Sequence, residues 1–178
     1  MKKDYLHNPT HLFMDDTPYF ITAANYQKQL LLQAPQLKER LLNAIKYNFQ
    51  RHHWALHHWV ILDNHYHLLG QSPIGQDLPK IMTKIHGQSG YHIKQTTQTQ
   101  QRTWWNYWDY CPRDEKDYLT RLNYLLMNPI KHGYTNNLND YPFSSFHQHL
   151  AETGREKLIR QFKDHTDYNN LILLEDDF

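Results

Sequence analysis

The sequence predicts an α+β fold, in which a four-stranded antiparallel sheet carries helices on one face. Two observations predict it. Four short segments rich in aromatic and β-branched residues alternate with three segments whose apolar residues recur at helical spacing. These elements follow the order β α β β α β α, and two β-α-β halves in that order build a ferredoxin-like sheet. Because we find neither an internal repeat nor a linker, we expect a single domain over residues 1–178.

The first predicted elements are one strand and one helix. Residues 1–16 show no periodicity and are expected to form an irregular leader. Residues 17–24, TPYFITAA, have the composition of a strand. Residues 36–50 predict an amphipathic helix, which begins after Pro35, a residue that helix starts tolerate. Its apolar stripe consists of Leu37, Leu41, Ile45 and Phe49.

A hairpin, a second helix and a fourth strand follow. Residues 54–62 and 65–71 are apolar runs on either side of Asp63-Asn64, which predicts two buried strands joined by a tight turn. Residues 79–96 predict a helix, although two glycines weaken its middle. The aromatic run at residues 104–110, WWNYWDY, predicts the last strand. The core positions of the second helix are Ile81, Ile85 and Ile93.

The third predicted helix spans residues 116–127. Asp114 is placed to cap its start, and Asp117, three residues further on, imitates a capping box. Asn128-Pro129 and then Gly133 are expected to end it. Its buried side consists of Leu119, Leu122, Leu126 and Leu125. The core is expected to cover residues from about 10 to 148, and residues 149–178 form an amphipathic helical tail with an acidic end.

Composition narrows the function classes. The single cysteine, Cys111, excludes an intrachain disulfide and a cysteine-based zinc site. We find no signal peptide and no apolar run of membrane-spanning length, so no membrane is expected and the cytoplasm is the expected location. The net charge of +1 is lower than that of many nucleic-acid-binding domains. Aromatic residues make up 14% of the chain, however, and aromatic side chains stack on unpaired bases.

The strongest chemical signal combines the predicted hairpin with the third helix. His65 and His67 flank Tyr66 on a strand, so both imidazoles point to one face and can share a metal ion. Tyr124 and Asn128 lie four residues apart and therefore share a face of the helix. A divalent ion, two imidazoles, a carboxamide oxygen and a phenol suggest metal-assisted attack on a phosphodiester.

These motifs resemble a known family. The HYH triplet at residues 65–67 resembles the His-hydrophobic-His signature of the HUH endonucleases. The block RDEKDYLTRLNYLLMNPIKHGY, at residues 113–134, resembles the tyrosine helix of the single-tyrosine transposases, and in particular the REP-associated tyrosine transposases. In that branch the nucleophile lies five residues before the proline of an Asn-Pro pair, a position that Tyr124 occupies here. The resemblance covers roughly residues 10 to 148.

The resemblance implies a bacterial enzyme that cuts and rejoins single-stranded DNA beside a hairpin such as a REP-like palindrome. Tyr124 would be the nucleophile and would form a 5′-phosphotyrosine intermediate. His65 and His67 would be metal ligands and Asn128 the third, for Mg²⁺ or Mn²⁺. Members of the family work as monomers or homodimers, and their activity implies association with the nucleoid. This chain carries Asp63 where relatives often have proline, and Tyr110 where many have histidine.

Two alternatives remain open at this stage. The first is a catalytically weak or inactive protein that recognises DNA or RNA hairpins on the same fold. The second is a metal-dependent hydrolase of small phosphoesters, which would have no affinity for oligonucleotides. Ser144-Ser145 has no partnered base nearby in the sequence, so a serine hydrolase is not expected.

Other polar residues have weaker signals. Among the basic residues, Lys84, Arg102 and Lys131 are the candidates for contacts with DNA phosphates. The four histidines of RHHWALHH, residues 51–58, resemble a metal cluster, but no carboxylate accompanies them at a spacing known for metal sites. We therefore expect those histidines to be solvated or hydrogen-bonded. The aromatics of residues 104–108 are expected mainly in the sheet core, with one or two facing DNA.

Overall fold

The computed structural model describes residue 11 and residues 13–173. Four strands form one sheet in the order β2-β3-β1-β4, and every neighbouring pair is antiparallel. The strands are β1 (Thr17–Asn25), β2 (Ala55–Ile61), β3 (His65–Ser72) and β4 (Trp104–Tyr110). This order is that of the predicted ferredoxin-like sheet, and each strand begins and ends within one residue of its predicted bounds. The predicted acidic end and most of the predicted leader lie outside the described residues.

Two helices cover one face of the sheet, as predicted. They are α1 (Pro35–Arg51) and α2 (Leu78–Thr97). Because side chains alternate along a strand, Tyr66 and Leu68 of β3 face these helices. The predicted helical core residues are all buried here: Leu37, Leu41, Ile45, Phe49, Ile81, Ile85 and Ile93. Apolar periodicity therefore identified both helices and their inner sides.

A third helix, α3 (Glu115–Lys131), packs on the opposite face of the sheet. Its leucines contact Phe20, Val60 and Leu69, which the strands direct to this side. Asp114 caps the helix, since its carboxylate accepts a hydrogen bond from the Asp117 backbone N–H at 2.8 Å. The Asp117 carboxylate does not complete a capping box; it accepts instead from the Tyr110 hydroxyl and the Arg113 backbone.

The prediction that α3 ends at Asn128-Pro129 is wrong. The helix continues through Pro129 to Lys131, and the His132 backbone N–H donates to the Asn128 carbonyl at 3.0 Å. Proline lacks an N–H and removes one helical hydrogen bond, but the ring does not prevent later turns from forming. The extra turn places two further basic residues, Lys131 and His132, one turn beyond Asn128.

The C-terminal tail packs on α3 rather than on the α1/α2 face. It consists of α4 (Phe146–Thr153), α5 (Arg155–Asp164) and a 3₁₀ turn at Thr166–Asn170. The buried Asn123 amide donates to the backbone carbonyls of Gln161 and His165, which ties α5 to α3. In the described part of the chain, every helix is too short or too polar to cross a membrane.

The connection before α4 protects one edge of the sheet. The Ile61 and Trp59 backbones exchange hydrogen bonds with residues 143–145, so this segment lies along the outer edge of β2. The Ser145 hydroxyl accepts a further hydrogen bond from the Trp59 N–H at 3.0 Å. An exposed edge strand offers unpaired backbone groups to other strands, and this segment covers those of β2.

The histidines of RHHWALHH do not form one cluster. His52 lies 3.3 Å from a carboxylate oxygen of Asp77, and His57 Nδ1 lies 3.1 Å from the Tyr118 hydroxyl. His58 differs from the expectation, because it is buried and its Nδ1 atom has no hydrogen-bond partner. Its ring contacts the ring of His149 edge-on. Burial, with the neighbouring His149 next in importance, lowers the pKa of His58 to about 3.

Replacing Gly70 by alanine is expected to destabilise the fold. A Cβ atom on Gly70 would lie 2.7 Å from the Ala55 carbonyl oxygen and 2.8 Å from the Phe49 ring. The strand or α1 would have to shift, at a cost of about 1–3 kcal/mol in the free energy of unfolding, measured by urea denaturation. Gly87→Ala is the control, since that helical position has nothing within 4 Å and should gain about 0.5–1 kcal/mol. Equal stability of Gly70→Ala and wild type would contradict this packing.

The buried His58 predicts a loss of stability in acid. Its pKa is lowered in the folded protein, so the unfolded chain binds more protons below the ordinary pKa of about 6.5. The free energy of unfolding should fall by roughly 1.4 kcal/mol for each pH unit below that value because of this one group. Denaturation of wild type and His58→Leu between about pH 7.5 and pH 5 measures the effect by difference. The control is His147→Leu, at an exposed histidine. This variant should show the same dependence of the free energy of unfolding on pH as the wild type.

Candidate active site

A cavity of about 350 Å³ opens where the hairpin meets the C-terminal end of α3. Both predicted histidines line it, and so does Lys131. The remaining lining residues come from β1, from the turn after β1, from the hairpin turn and from the residue after α3: Thr22, Ala24, Lys28, Asn64 and His132. Three separate segments of the chain, residues 22–28, 64–67 and 131–132, therefore contribute polar groups to one space.

The strand alternation directs both imidazoles toward α3. His65 and His67 lie on the same face of β3, and their ring centroids are 5.1 Å apart. Tyr66, between them, points to the opposite face of the sheet, into the core formed with α1 and α2. In the sheet register His67 faces Thr22 of β1, and its Nδ1 atom lies 2.7 Å from the Thr22 hydroxyl oxygen. A hydroxyl in this place orients the ring, as partners behind metal-binding histidines do.

The hydrogen bonds of Asn64 determine which nitrogen of His65 carries the proton. The Asn64 amide nitrogen donates to the Lys28 carbonyl, so its oxygen is the atom that lies 2.7 Å from His65 Nδ1. His65 Nδ1 must donate to that oxygen. In the neutral ring, Nε2 is then the unprotonated nitrogen, and it points toward Asn128 of α3.

His67 is held as a neutral imidazole. The side chain is completely buried, and burial lowers its pKa well below the ordinary value, with His65 and His132 adding smaller effects of the same sign. Its Nε2 atom is buried and has no hydrogen-bond partner. A buried polar atom without a partner is costly, and a neutral imidazole is the form that binds metal ions.

Asn128 completes a donor set that fits a divalent cation. Its side-chain oxygen lies 3.1 Å from His65 Nε2, and its amide nitrogen is buried without a partner. Two ligand atoms each about 2.1 Å from one ion lie roughly 3 Å apart. Among the described residues no three His, Cys, Asp or Glu side chains come together to hold a metal. An ion here would bind two imidazoles, this amide oxygen and water. The imidazoles suit a transition metal, whereas the amide oxygen and water also suit Mn²⁺ and Mg²⁺.

Tyr124 lies beside the same histidines on the inner face of α3. Its ring contacts that of His67 edge-on, with centroids 5.4 Å apart, and the side chain is only 2% exposed. The Lys131 ammonium donates a hydrogen bond to the Tyr124 hydroxyl at 3.0 Å and lies over the ring. The ammonium is therefore positioned to stabilise negative charge that develops on the phenolic oxygen.

The other predicted basic residues lie elsewhere. Lys84 is exposed on α2, which packs against the opposite face of the sheet. Arg102 lies two residues before β4, and its guanidinium donates to the carbonyls of Trp104 and Trp105 at 2.6 Å. Sequence reasoning missed Lys28 and His132. For His132 the helical spacing after Asn128 was a usable signal, whereas nothing in the sequence around Lys28 pointed to the cavity.

Comparison with known proteins adds an independent line of observation. The family model described as "Transposase IS200 like" matches residues 17–112, more than half of the chain. A REP-associated tyrosine transposase of Escherichia coli (strain K12) is 27% identical over 134 residues, which cover 75% of this chain and 77% of the relative. A putative REP-associated tyrosine transposase of Haemophilus influenzae (strain ATCC 51907 / DSM 11121 / KW20 / Rd) is 33% identical over 99 residues, 49% of this chain and 56% of the relative.

A solved structure has a similar fold. It is described as a REP-associated tyrosine transposase bound to a REP hairpin. The two structures superpose with a TM-score of 0.68 at 24% sequence identity, over 81% of this chain and 85% of the other. The superposition supports the sheet order and the helix placement described above.

The donor set predicts that Mn²⁺ stabilises the folded chain. At a free ion concentration of 100 times its dissociation constant, the free energy of unfolding should rise by about 2.7 kcal/mol. Thermal melting with and without Mn²⁺ measures this, and His65→Ala should lose the increment because it removes one ligand. His147→Ala, an exposed histidine outside the cavity, is the control. Equal stabilisation of wild type and His65→Ala by Mn²⁺ would exclude this site.

Proposed function

The chain belongs to the IS200-like transposase family, enzymes that cut and rejoin DNA, and from this premise we propose that it cleaves single-stranded DNA through Tyr124. Tyr124 would attack a phosphodiester beside a hairpin and hold the cut strand as a 5′-phosphotyrosine. The observation that carries the proposal is the position of the Tyr124 hydroxyl. The hydroxyl accepts a hydrogen bond from the Lys131 ammonium, and the Tyr124 ring contacts the ring of His67, whose Nε2 atom is buried without a hydrogen-bond partner.

In the proposed cleavage, the Tyr124 oxygen forms a bond to phosphorus and the bond from phosphorus to the 3′ oxygen breaks. The phenol gives up its proton to water before it attacks, and the departing 3′ oxygen takes a proton from water and becomes a hydroxyl. Lys131 would stabilise the negative charge on the phenolic oxygen before attack. Rejoining is the reverse reaction with a 3′-hydroxyl as the nucleophile. The phosphotyrosine conserves the bond, so no external energy source is required.

His65, His67 and Asn128 would hold a divalent ion, Mg²⁺ or Mn²⁺. Such an ion supplies Lewis-acid polarisation of the scissile phosphate. The protein's own contribution is orientation. Thr22 and Asn64 fix the two imidazole rings from behind, and α3 carries the amide and the phenol on one rigid face.

The proposed substrate is a DNA hairpin with an unpaired segment. The similar structure described above is of a protein bound to a REP hairpin, and REP-associated transposases are among the relatives. In this chain, Lys28, Lys131 and His132 give the cavity wall a basic character that suits a phosphate. Because the substrate would be chromosomal, the proposed place of action is the bacterial cytoplasm, at the nucleoid.

A hairpin-binding protein that does not cleave is the second candidate. The observation that favours it is the burial of Tyr124, whose side chain is only 2% exposed. A nucleophile must reach phosphorus, and a phenol this enclosed requires the substrate or the protein to adjust on binding.

Covalent trapping separates the two candidates. With labelled hairpin DNA and Mn²⁺, wild type should form an adduct whose mass equals the chain plus the 5′-phosphorylated fragment, attached at Tyr124. Tyr124→Phe should form none, because phenylalanine has no nucleophilic oxygen. Lys131→Met should form the adduct roughly 10- to 100-fold more slowly, since it removes one charged hydrogen bond to the attacking atom.

Lys157→Met, an exposed lysine of α5, is the control for the loss of a positive charge. Hairpin binding by wild type without any adduct would favour the second candidate. An adduct that persists in Tyr124→Phe would assign the nucleophile to another residue.

A further inference from the structure

A second cavity, of about 370 Å³, lies on the outer side of β4, between that strand and α2. Its floor is flat and aromatic. The His86 ring stacks on Trp104 with centroids 4.7 Å apart and an interplanar angle of 8°, and His86 Nε2 lies 2.9 Å from the Tyr66 hydroxyl. Burial, followed by the nearby Arg102, lowers the pKa of His86 to about 3, so this floor is uncharged at neutral pH.

The strand that borders this cavity is irregular. Pairing between β1 and β4 shifts in register between Ala23 and Asn25, opposite Trp105 and Asn106. This bulge leaves Trp105 and Asn106 half-exposed and on the cavity wall. Arg102 braces the bulge through its hydrogen bonds to the Trp104 and Trp105 carbonyls. Bulges at sheet edges commonly direct side chains toward a ligand.

A short turn joins the second cavity to the candidate active site. The Trp105 ring contacts the Tyr26 ring, with centroids 5.3 Å apart. Tyr26 begins the 3₁₀ turn that ends at Lys28, and Lys28 lines the first cavity. Gln27 and Lys28 both have a φ of 53°, a left-handed conformation that non-glycine residues adopt at an energetic cost. Hydrogen bonds from the Tyr26 N–H to the Thr103 carbonyl and from Asn64 to the Lys28 carbonyl hold the turn in place.

We infer that the unpaired DNA strand beside the cut runs over this turn and into the second cavity. Lys28 binds a phosphate, the Tyr26 and Trp105 rings stack on one base, and the cavity receives the next base against the His86/Trp104 floor. The inference rests on the proposed function and names where its single-stranded substrate lies. Stacking platforms interleaved with cations are the usual means of binding single strands.

Charge favours a nucleic acid over a peptide strand added to the β4 edge. No carboxylate is among the described residues that line either cavity, whereas Lys28, Lys131 and Arg102 are. A peptide paired with β4 would use the backbone and would not need Lys28 or the Trp105 ring. Substitution of Lys28 or Trp105 should therefore weaken the binding of a nucleic acid but not that of a peptide strand.

The experiment measures binding without cleavage. Every protein carries Tyr124→Phe, and fluorescence anisotropy compares a hairpin without overhang with the same hairpin bearing an unpaired flank of about six nucleotides, on its 5′ or 3′ side. One flank should tighten binding by at least roughly 5- to 150-fold, the range that one stacked base contributes on its own. Trp105→Ala and Lys28→Ala should each lose most of this gain.

The matched controls are one aromatic residue and one cationic residue that lie outside the proposed path of the unpaired strand. Tyr91→Ala, at a side chain that is 62% exposed on α2, and Lys157→Ala should keep the full gain. Lys28→Arg and Trp105→Tyr should restore most of it, which separates a binding role from a structural one. In a salt titration of the flanked hairpin, Lys28→Ala should reduce the slope of log K against log [salt] by about 0.7, the value for one phosphate contact on a single strand.

The inference is overturned if neither flank tightens binding, or if Trp105→Ala and Lys28→Ala retain the gain. It is also overturned if these variants weaken the blunt and flanked hairpins equally, because the residues would then contact the duplex or support the fold. Failure of the proposed cleavage leaves a different signature. In that case the flank effect persists, while protein with an intact Tyr124 forms no covalent adduct.

Discussion

The packing of α3 across the sheet is the interaction on which the candidate site depends. Leu122, Leu125 and Leu126 bury themselves against apolar residues that the strands direct to that side. Each fully buried leucine contributes about 1.5–3 kcal/mol, so the helix has one strongly preferred rotation. That rotation brings Tyr124 to His67 and Asn128 to His65. The positions of the residues of the candidate site are therefore determined by a hydrophobic interface that takes no part in the chemistry.

Some polar groups of the site lower the stability of the fold. His67 Nε2 and the Asn128 amide nitrogen are buried without partners, although most buried polar atoms in proteins have one. The turn after β1 adds two residues in left-handed backbone conformations. Local departures from good packing and full hydrogen bonding are expected where a ligand completes the structure. His67, Asn128 and the strained turn all lie around the cavity that contains the histidines, although His58, which lies outside it, also has a buried ring nitrogen without a partner.

Much of the fold could be predicted from periodicity because side-chain alternation and helical stripes are local properties of the chain. The strands, both helices of the α1/α2 layer and the capping of α3 by Asp114 were predicted in this way. Pro129 misled the prediction of the end of α3, since the rule that proline stops a helix ignores packing on either side. The Tyr124–Asn128 spacing was informative because i and i+4 residues share a helix face in any context.

The partners of the site could not be predicted, because they depend on contacts between distant segments. Lys28 reaches the cavity only through a strained turn held by Asn64 and Thr103. Lys131 was expected to contact DNA phosphate, yet its ammonium donates a hydrogen bond to the Tyr124 hydroxyl. The orientation of His65 follows from Asn64, an adjacent residue whose own orientation is determined by the Lys28 carbonyl. Such chains of hydrogen bonds have no signature in residue spacing.

The histidines and the tyrosine of the candidate site come from one polypeptide, on β3 and α3. If Tyr124 is the attacking group, each molecule can retain a single DNA end at any moment. Relocating a stretch of genome requires two breaks and two resealing events. A protein with one such tyrosine could therefore move a DNA segment in two ways. Two copies could act together, each holding one cut end, or one copy could act twice, releasing the first DNA end before it cuts again.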